Sequence, residues 1–146
     1  MAYEQLKLDN QLCFRLYAAS RLIQQAYRPH LDKMGLTYPQ YLVLMVLWET
    51  GPLPVNDIAK RLQLETNTVT PLIQRMEREG IVKRTKGKVD TRQTIVSLTR
   101  HGKKLEEESV EIPACMLEFL CNNGADKEAI LALLPQLDDL IDQLKK

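Results

Sequence analysis

A mainly helical α+β fold is predicted for this 146-residue chain by three features of its sequence. Two short amphipathic helical patterns follow one another over residues 55–79, broken only at Leu64 and Glu65. Two runs rich in β-branched residues, IVKRT at 81–85 and TIVSLT at 94–99, come directly after them, joined through Lys86-Gly87-Lys88. The segments on either side carry helical periodicity alone. Helix, turn, helix and a basic hairpin together make a winged helix-turn-helix, whose second helix is built to enter a major groove of double-stranded DNA. The plainer alternative is a small helical domain with a decorative hairpin.

The elements can be justified in order. Residues 10–28 form a first helix, capped by Asp9 or Asn10 and bounded by Pro29. Residues 39–50, PQYLVLMVLWET, are apolar nearly all round, so this helix is central, and Gly51-Pro52 stops it. VNDIAKRLQ gives a short helix with Ile58, Ala59 and Leu62 on one face. TNTVTPLIQRMERE gives the next, with Val69, Leu72, Ile73 and Met76 as its buried stripe. Its other side is polar, with Thr68, Thr70, Gln74, Arg75 and Arg78. Pro71 has no amide hydrogen and belongs in a first turn, which places the helix start near Asn67; Gly80 closes the helix as a left-handed cap.

Beyond the hairpin, Thr99 caps a helix over 100–120 that Pro113 should end or kink. Residues 126–145 place Ile130, Leu133, Leu137, Leu140 and Leu144 at alternating spacings of 3 and 4, with Leu134 and Ile141 beside them. That seam is wider than one small domain needs and suits a second copy of the chain, although it could equally cover the chain's own core. Pro135 should bend this helix. The expected organisation is one domain over 1–146. Within it, helices at 8–35 and 100–146 form a dimerisation region around a winged helix-turn-helix at 39–99.

Charge supports a nucleic-acid partner only when read by segment. The net charge is +1. Residues 74–104, however, hold 10 Lys and Arg against 3 Asp and Glu, whereas residues 105–146 hold 3 against 10. A basic reading head beside an acidic remainder is the footprint of a phosphate-binding domain. Other classes recede. No apolar run is long enough to span a membrane, and the N-terminus lacks a basic-then-apolar secretory order, so a cytoplasmic protein is expected. Three cysteines without CxxC spacing speak against a disulfide scaffold and a zinc site. His30 and His101 stand alone in polar surroundings. With no Gly-rich phosphate loop and no hydrolase constellation, neither cofactor, metal nor enzymatic activity is expected.

Cys13 suggests a task beyond binding. It falls in the first turn of its helix, where the partial positive charge of the helix end favours an anionic sulfur. Phenol donors stand nearby in sequence at Tyr17, Tyr27 and Tyr38. Tyr27 is fourteen residues on, roughly 21 Å up a straight helix, so it cannot reach the Cys13 of its own chain. It could reach that of an antiparallel partner. The competing reading is a small core residue on an amphipathic helix.

The stretches LDNQLCFRLYAASR, AYRPHLDKMGLTYPQYLVLMVLWE, TPLIQRMEREGIVKR and DTRQTIVSLT resemble the MarR family of bacterial regulators across most of residues 8–100. The D-x-R wing followed by LT is general to that family. QLCF-x-LY combined with LTYPQYLVL is similar to its organic-hydroperoxide repressors of the OhrR type. The resemblance implies a homodimeric, redox-sensing repressor. In its reduced form it would hold an inverted-repeat operator, and organic hydroperoxide, as inducer, would release it by oxidising Cys13.

Tyr17, Tyr27 and Tyr38 then match the hydrogen-bonding tyrosines of the sensor. Thr66, Thr68 and Thr70 fall where the recognition helix meets DNA. Arg75, Lys83, Lys86 and Lys88 become phosphate contacts. Arg92 enters the minor groove, with Asp90 bracing the hairpin. Some members resolve the oxidised cysteine with a second one, for which Cys121, in a C-x-x-G pattern, and Cys115 are both available; others use a small thiol. Two other readings stay open: a repressor of the same family released by a small ligand in the dimer cleft, with Cys13 incidental, and a thiol peroxidase.

Overall fold

The computed structural model describes residues 3–145. It divides into two compact units, Met1–Ser109 and Val110–Lys146.

In the first unit, two single 3-10 turns lead into α1 (Leu12–Asp32), followed by α2 (Tyr38–Thr50), β1 (Leu53–Pro54), α3 (Val55–Leu62), α4 (Thr66–Arg78), β2 (Val82–Lys86), β3 (Thr94–Leu98) and α5 (Arg100–Ser109). α2 is the hub expected from its all-round apolar sequence. Val43, Leu44, Val46 and Leu47 are all buried, and the helix packs on α1, α3, α4, α5 and β3. Its start is fixed by a reciprocal cap: the Gln40 N–H donates to Thr37 Oγ1 at 3.3 Å and the Thr37 N–H to Gln40 Oε1 at 3.0 Å. Gly51, at φ 78°, ends it.

The amphipathic faces of α3 and α4 close on this hub. Ile58 and Ala59 of α3 and Val69, Ile73 and Met76 of α4 are buried. Between the two helices the chain turns through Gln63 in the left-handed conformation, with the Leu64 N–H donating to the Ala59 carbonyl. The sheet has order β1-β3-β2 and is antiparallel throughout, with Leu53 opposite Val96 and Arg84 opposite Val96 from the other side. β1 was not foreseen: it is two residues long and one is proline, tolerated because the strand lies at the edge.

Three sequence expectations need correction. The first helix does not stop at Pro29 but runs three residues further, and its cap is Gln11 rather than Asp9 or Asn10. Burial of Leu31, with Tyr27 packed on Tyr38 and Tyr41, holds the last turn against the missing proline N–H. α4 begins at Thr66, one residue early, so Pro71 lies in its second turn and the Asn67 carbonyl has no amide of residue 71 to accept. The helix expected over 100–120 is two helices, α5 and α6 (Ile112–Asn122), with Pro113 in the first turn of the second, where its missing N–H costs nothing. Thr99 does cap α5, accepting from the Gly102 N–H at 3.1 Å.

The second unit consists of α6 and α7 (Lys127–Leu144). Ile112 and Met116 of α6 are buried. α7 is capped by Asp126, which accepts from the Glu128 N–H at 3.3 Å, and Pro135 lies inside it with helix on both sides. It buries no residue at all. No helix of the described residues is long and apolar enough to cross a membrane.

Candidate nucleic-acid interface and thiol site

Two regions of the first unit hold most of the residues singled out above. The first lies around the start of α4. Thr66 and Thr68 are exposed there and Thr70 is half-buried. A cleft of about 440 Å³ separates the α4 start from the wing, lined among others by Asn56, Thr66, Thr70, Arg84, Asp90 and Arg92. The Thr66 hydroxyl donates to Asn56 Oδ1 at 3.1 Å, tying the two helices of the motif together. The Thr70 hydroxyl donates back to the Thr66 carbonyl at 2.9 Å, so towards a ligand it presents lone pairs.

Lys83, Lys86 and Lys88 are exposed along β2 and into the wing loop. Past them, Asp90 clasps Arg92 through three bonds: the Arg92 backbone N–H at 3.0 Å, its Nε at 3.1 Å and its Nη2 at 3.3 Å. The guanidinium and then the backbone N–H hold the Asp90 carboxyl below the usual carboxylate range. Asp90 also turns the loop, since its carbonyl accepts from the Gln93 N–H. The Arg92 side chain is nevertheless 90% exposed, a charge aimed outward on a braced hairpin.

Sequence reasoning missed a second clamp. Arg84 gives Glu77 its Nε and Nη2 at 3.1 and 3.0 Å and its backbone N–H at 3.1 Å, fastening the wing to the end of α4 and lowering the Glu77 carboxyl. The only signal was a Glu and an Arg seven residues apart across a helix end, which no period marks. Arg75, expected as a free phosphate contact, is engaged by Glu79 at 3.3 Å, and Glu79 is itself held by the Gln40 amide at 3.2 Å. A phosphate would have to compete for it, although the Arg75 side chain stays largely exposed.

The second surface concerns sulfur and phenols. Cys13 is the second residue of α1 and exposed, with Tyr17 one turn on and exposed as well. Tyr27 and Tyr38 come together with ring centroids 5.1 Å apart. Tyr41, which the sequence presented only as part of an apolar helix, joins them at 5.9 and 6.2 Å. Its i, i+3 spacing from Tyr38 on one helix was the available sign. Burial raises all three phenols. For Tyr27 the neighbouring Tyr38 adds to that, and Tyr41, flanked by both, is pushed up to about 12. Held protonated, they are hydrogen-bond donors at any physiological pH. α1 is unbroken from Cys13 to Tyr27, so about 21 Å of helix keeps the thiol from the phenol of its own chain.

The remaining two cysteines belong to the second unit. Cys115 is exposed and Cys121 half-buried, and all three are free thiols. The C-x-x-G pattern of Cys121 has a structural cause. Gly124 adopts φ 96° just past the end of α6, where its N–H donates to the Cys121 carbonyl and that of Ala125 to Leu120. The glycine is needed by the helix end, whatever the thiol does.

The chain is similar to known proteins. A model of the MarR family matches residues 36–94, from the α2 cap to the start of β3. The organic hydroperoxide resistance transcriptional regulator of Bacillus subtilis (strain 168) is 42% identical over 139 residues, 92% of this chain and 95% of that protein. Among solved structures, reduced AbfR bound to DNA is similar with TM-score 0.80 at 37% identity, each chain covered in full at 100%. Disulfide-formed AbfR is similar with TM-score 0.61 at 39% identity, covering 94% of this chain and 95% of that one. AbfR is a protein of Staphylococcus epidermidis.

Proposed function

Since the chain belongs to the MarR family of transcriptional regulators, we propose that it is a redox-sensing repressor: its reduced homodimer holds an inverted-repeat operator and leaves it when an organic hydroperoxide oxidises Cys13. The observation that carries this reading is the split of one site along α1. An exposed thiol stands at one end and a nest of protonated phenols at the other, too far apart to meet within a chain. An antiparallel partner would bring each thiol to the other's Tyr27 and Tyr38. The bare apolar face of α7 supplies a surface for such a partner.

Each dimer would present two α4 helices to successive major grooves, with half-sites about one helical turn apart. Lys83, Lys86, Lys88 and, once freed from Glu79, Arg75 supply salt-sensitive phosphate contacts. Thr66, Thr68 and Thr70 face the bases, and Arg92, held by Asp90, reaches the minor groove. On oxidation the Cys13 sulfur attacks the terminal peroxide oxygen. An S–O bond forms, the O–O bond breaks, and the alkoxide leaves with a proton as the alcohol. Sulfur loses two electrons and becomes a sulfenic acid. A second thiol, from Cys121, Cys115 or a small molecule, then displaces water to make a disulfide.

If the partner's phenols donate to a charged sulfur, oxidation would remove hydrogen bonds that contribute roughly 1.5–3 kcal/mol each. Two of them exceed the roughly 2.7 kcal/mol that a hundredfold loss of operator affinity requires.

A second reading, release by a small ligand with Cys13 incidental, draws on a polar cleft of about 410 Å³ lined by Arg21, Arg28, Thr37 and Tyr38. One experiment separates the two. An operator is selected from random DNA by the reduced protein, and its release by cumene hydroperoxide is followed by mobility shift for the parent and for Cys13→Ser. The sensor reading expects release of the parent and none of the variant; undiminished release of Cys13→Ser would remove it. Intact mass after one equivalent of peroxide, with Cys121→Ser and Cys115→Ser in parallel, identifies the resolving thiol.

A further inference from the structure

Tyr41 and Trp48 stand seven residues apart on α2, two turns of one helix face. Tyr41 is 2% exposed and lies against both Tyr27 and Tyr38. On its other side it meets Trp48 edge-on, with centroids 6.2 Å apart and planes at 70°. The Trp48 indole N–H donates to the Gly102 carbonyl at 3.0 Å. Gly102, in the first turn of α5, is pressed onto the root of the wing. A β-carbon there would come within 2.3 Å of the Ile81 carbonyl oxygen and 3.1 Å of Leu98. Thr99, whose hydroxyl accepts from the Gly102 N–H, shares its own proton between the Gly80 and Ile81 carbonyls at 2.7 and 2.9 Å. Contact is therefore continuous from the phenols of α1 and α2 to the residues that start β2.

We propose that Tyr41 and Trp48 are positioning residues, an aromatic strut that couples the Tyr27–Tyr38 pair to the wing through the hydrogen bond from Trp48 to Gly102. Neither residue touches DNA or the Cys13 thiol in this role. Rings have few torsions and close-packed interiors transmit displacement. At the far end, Gly102 has no slack against Ile81, so movement of the indole carries the first turn of α5 and the wing root with it. Thr99 and Gly102 then hold the wing in register with α4 when the phenols are at rest. The strut rests on the reading of Cys13 as the sensor, and supplies what that reading lacks: a physical link between a sulfur event and the reading head.

Trp48 is the single tryptophan of the chain, so its fluorescence reports the strut in the unaltered protein. Reduced protein on its selected operator is treated with one equivalent of cumene hydroperoxide, and indole emission is followed with operator release. The strut expects a change in Trp48 emission that accompanies release in the parent and is missing in Cys13→Ser. Emission that stays constant while the operator is lost overturns it. Trp48→Phe keeps a ring against Tyr41 and deletes the donor to Gly102. It should consume peroxide at Cys13 at the parental rate by intact mass and bind operator within about threefold when reduced. Its loss of affinity on oxidation should shrink from about a hundredfold to less than tenfold, the span of an ordinary coupling between sites. Full release of Trp48→Phe overturns the strut and leaves the sensor standing. A parent that peroxide does not release removes the sensor and the strut together.

Discussion

α2 and α7 are both rich in leucine, yet they meet opposite fates. α2 has Val43, Leu44, Val46 and Leu47 at 5% exposure or less, while α7 buries nothing and leaves Leu131, Leu133, Leu134, Ile141 and Leu144 between 39% and 74% exposed. Apolar periodicity says that a face wants cover and is silent about where the cover comes from. For α2 it comes from the chain itself. For α7 the account is left open within one chain, and an exposed apolar patch of this kind on a helix marks an interaction surface. The acidic composition around it, 10 carboxylates against 3 basic residues over 105–146, argues against DNA as the cover.

The most forceful way to break this contrast is to charge the open face. Leu134 and Ile141 are seven residues apart on α7 and both exposed. Leu134→Glu with Ile141→Glu should convert a dimer to a monomer in sedimentation equilibrium. It should also lower operator affinity by roughly 10²–10⁴-fold, because the two half-sites are no longer bound by one linked species. Dimeric double variant with full affinity would show that α7 is covered in some other way. Leu44→Ala is the control at the closed face. It should cost about 2–5 kcal/mol by thermal or urea unfolding. The loss at Leu44 should appear at every protein concentration, whereas the α7 variant should differ from the parent only where the parent is associated.

Legibility in the sequence follows the same division. α3, α4 and the two wing strands could be read because local periodicity, the Gly80 stop and the β-branched runs agree there, although Pro71 misplaced the start of α4 by one residue. What escaped was set by packing. Pro29 looks like a stop until Leu31 and Tyr27 are seen anchoring the turn beyond it. β1 is too short to have a pattern and exists because β3 offers it an edge. The site divides likewise. The separation of Cys13 from Tyr27 follows from helix rise alone, and the basic stretch follows from counting. The Glu77–Arg84 clamp, the capture of Arg75 by Glu79 and the inclusion of Tyr41 among the phenols are pairings across elements, invisible to spacing.

A smaller effect sharpens the contrast through titration. All five tyrosines lie within residues 1–109, and Tyr41, buried and flanked by both Tyr27 and Tyr38, is the one pushed up to about 12. A folded value above the unfolded one, near 10, favours the protonated phenol in the fold. That contribution is complete below pH 10 and is lost as pH rises through about 12. Unfolding free energy should therefore fall by on the order of 2–3 kcal/mol across that window. Urea titrations at pH 8, 10 and 11.5 test it, and Tyr41→Phe should flatten most of the decline. An equally steep decline in the variant would place the alkaline sensitivity elsewhere.

The smallest predicted effect separates the two regions by charge. Lys88 stands exposed in the wing loop, and Lys127 stands exposed at the start of α7. If the wing lies along the phosphates, Lys88→Ala displaces fewer condensed cations. The slope of log affinity against log salt should then fall by about 1 per protomer contact, with affinity weakened to a similar degree on every DNA sequence. Lys127→Ala changes net charge by the same amount and should leave the slope alone. Equal slopes for the two variants would mean that operator affinity senses only the overall charge of the protein, and the basic wing would lose its place as the phosphate contact.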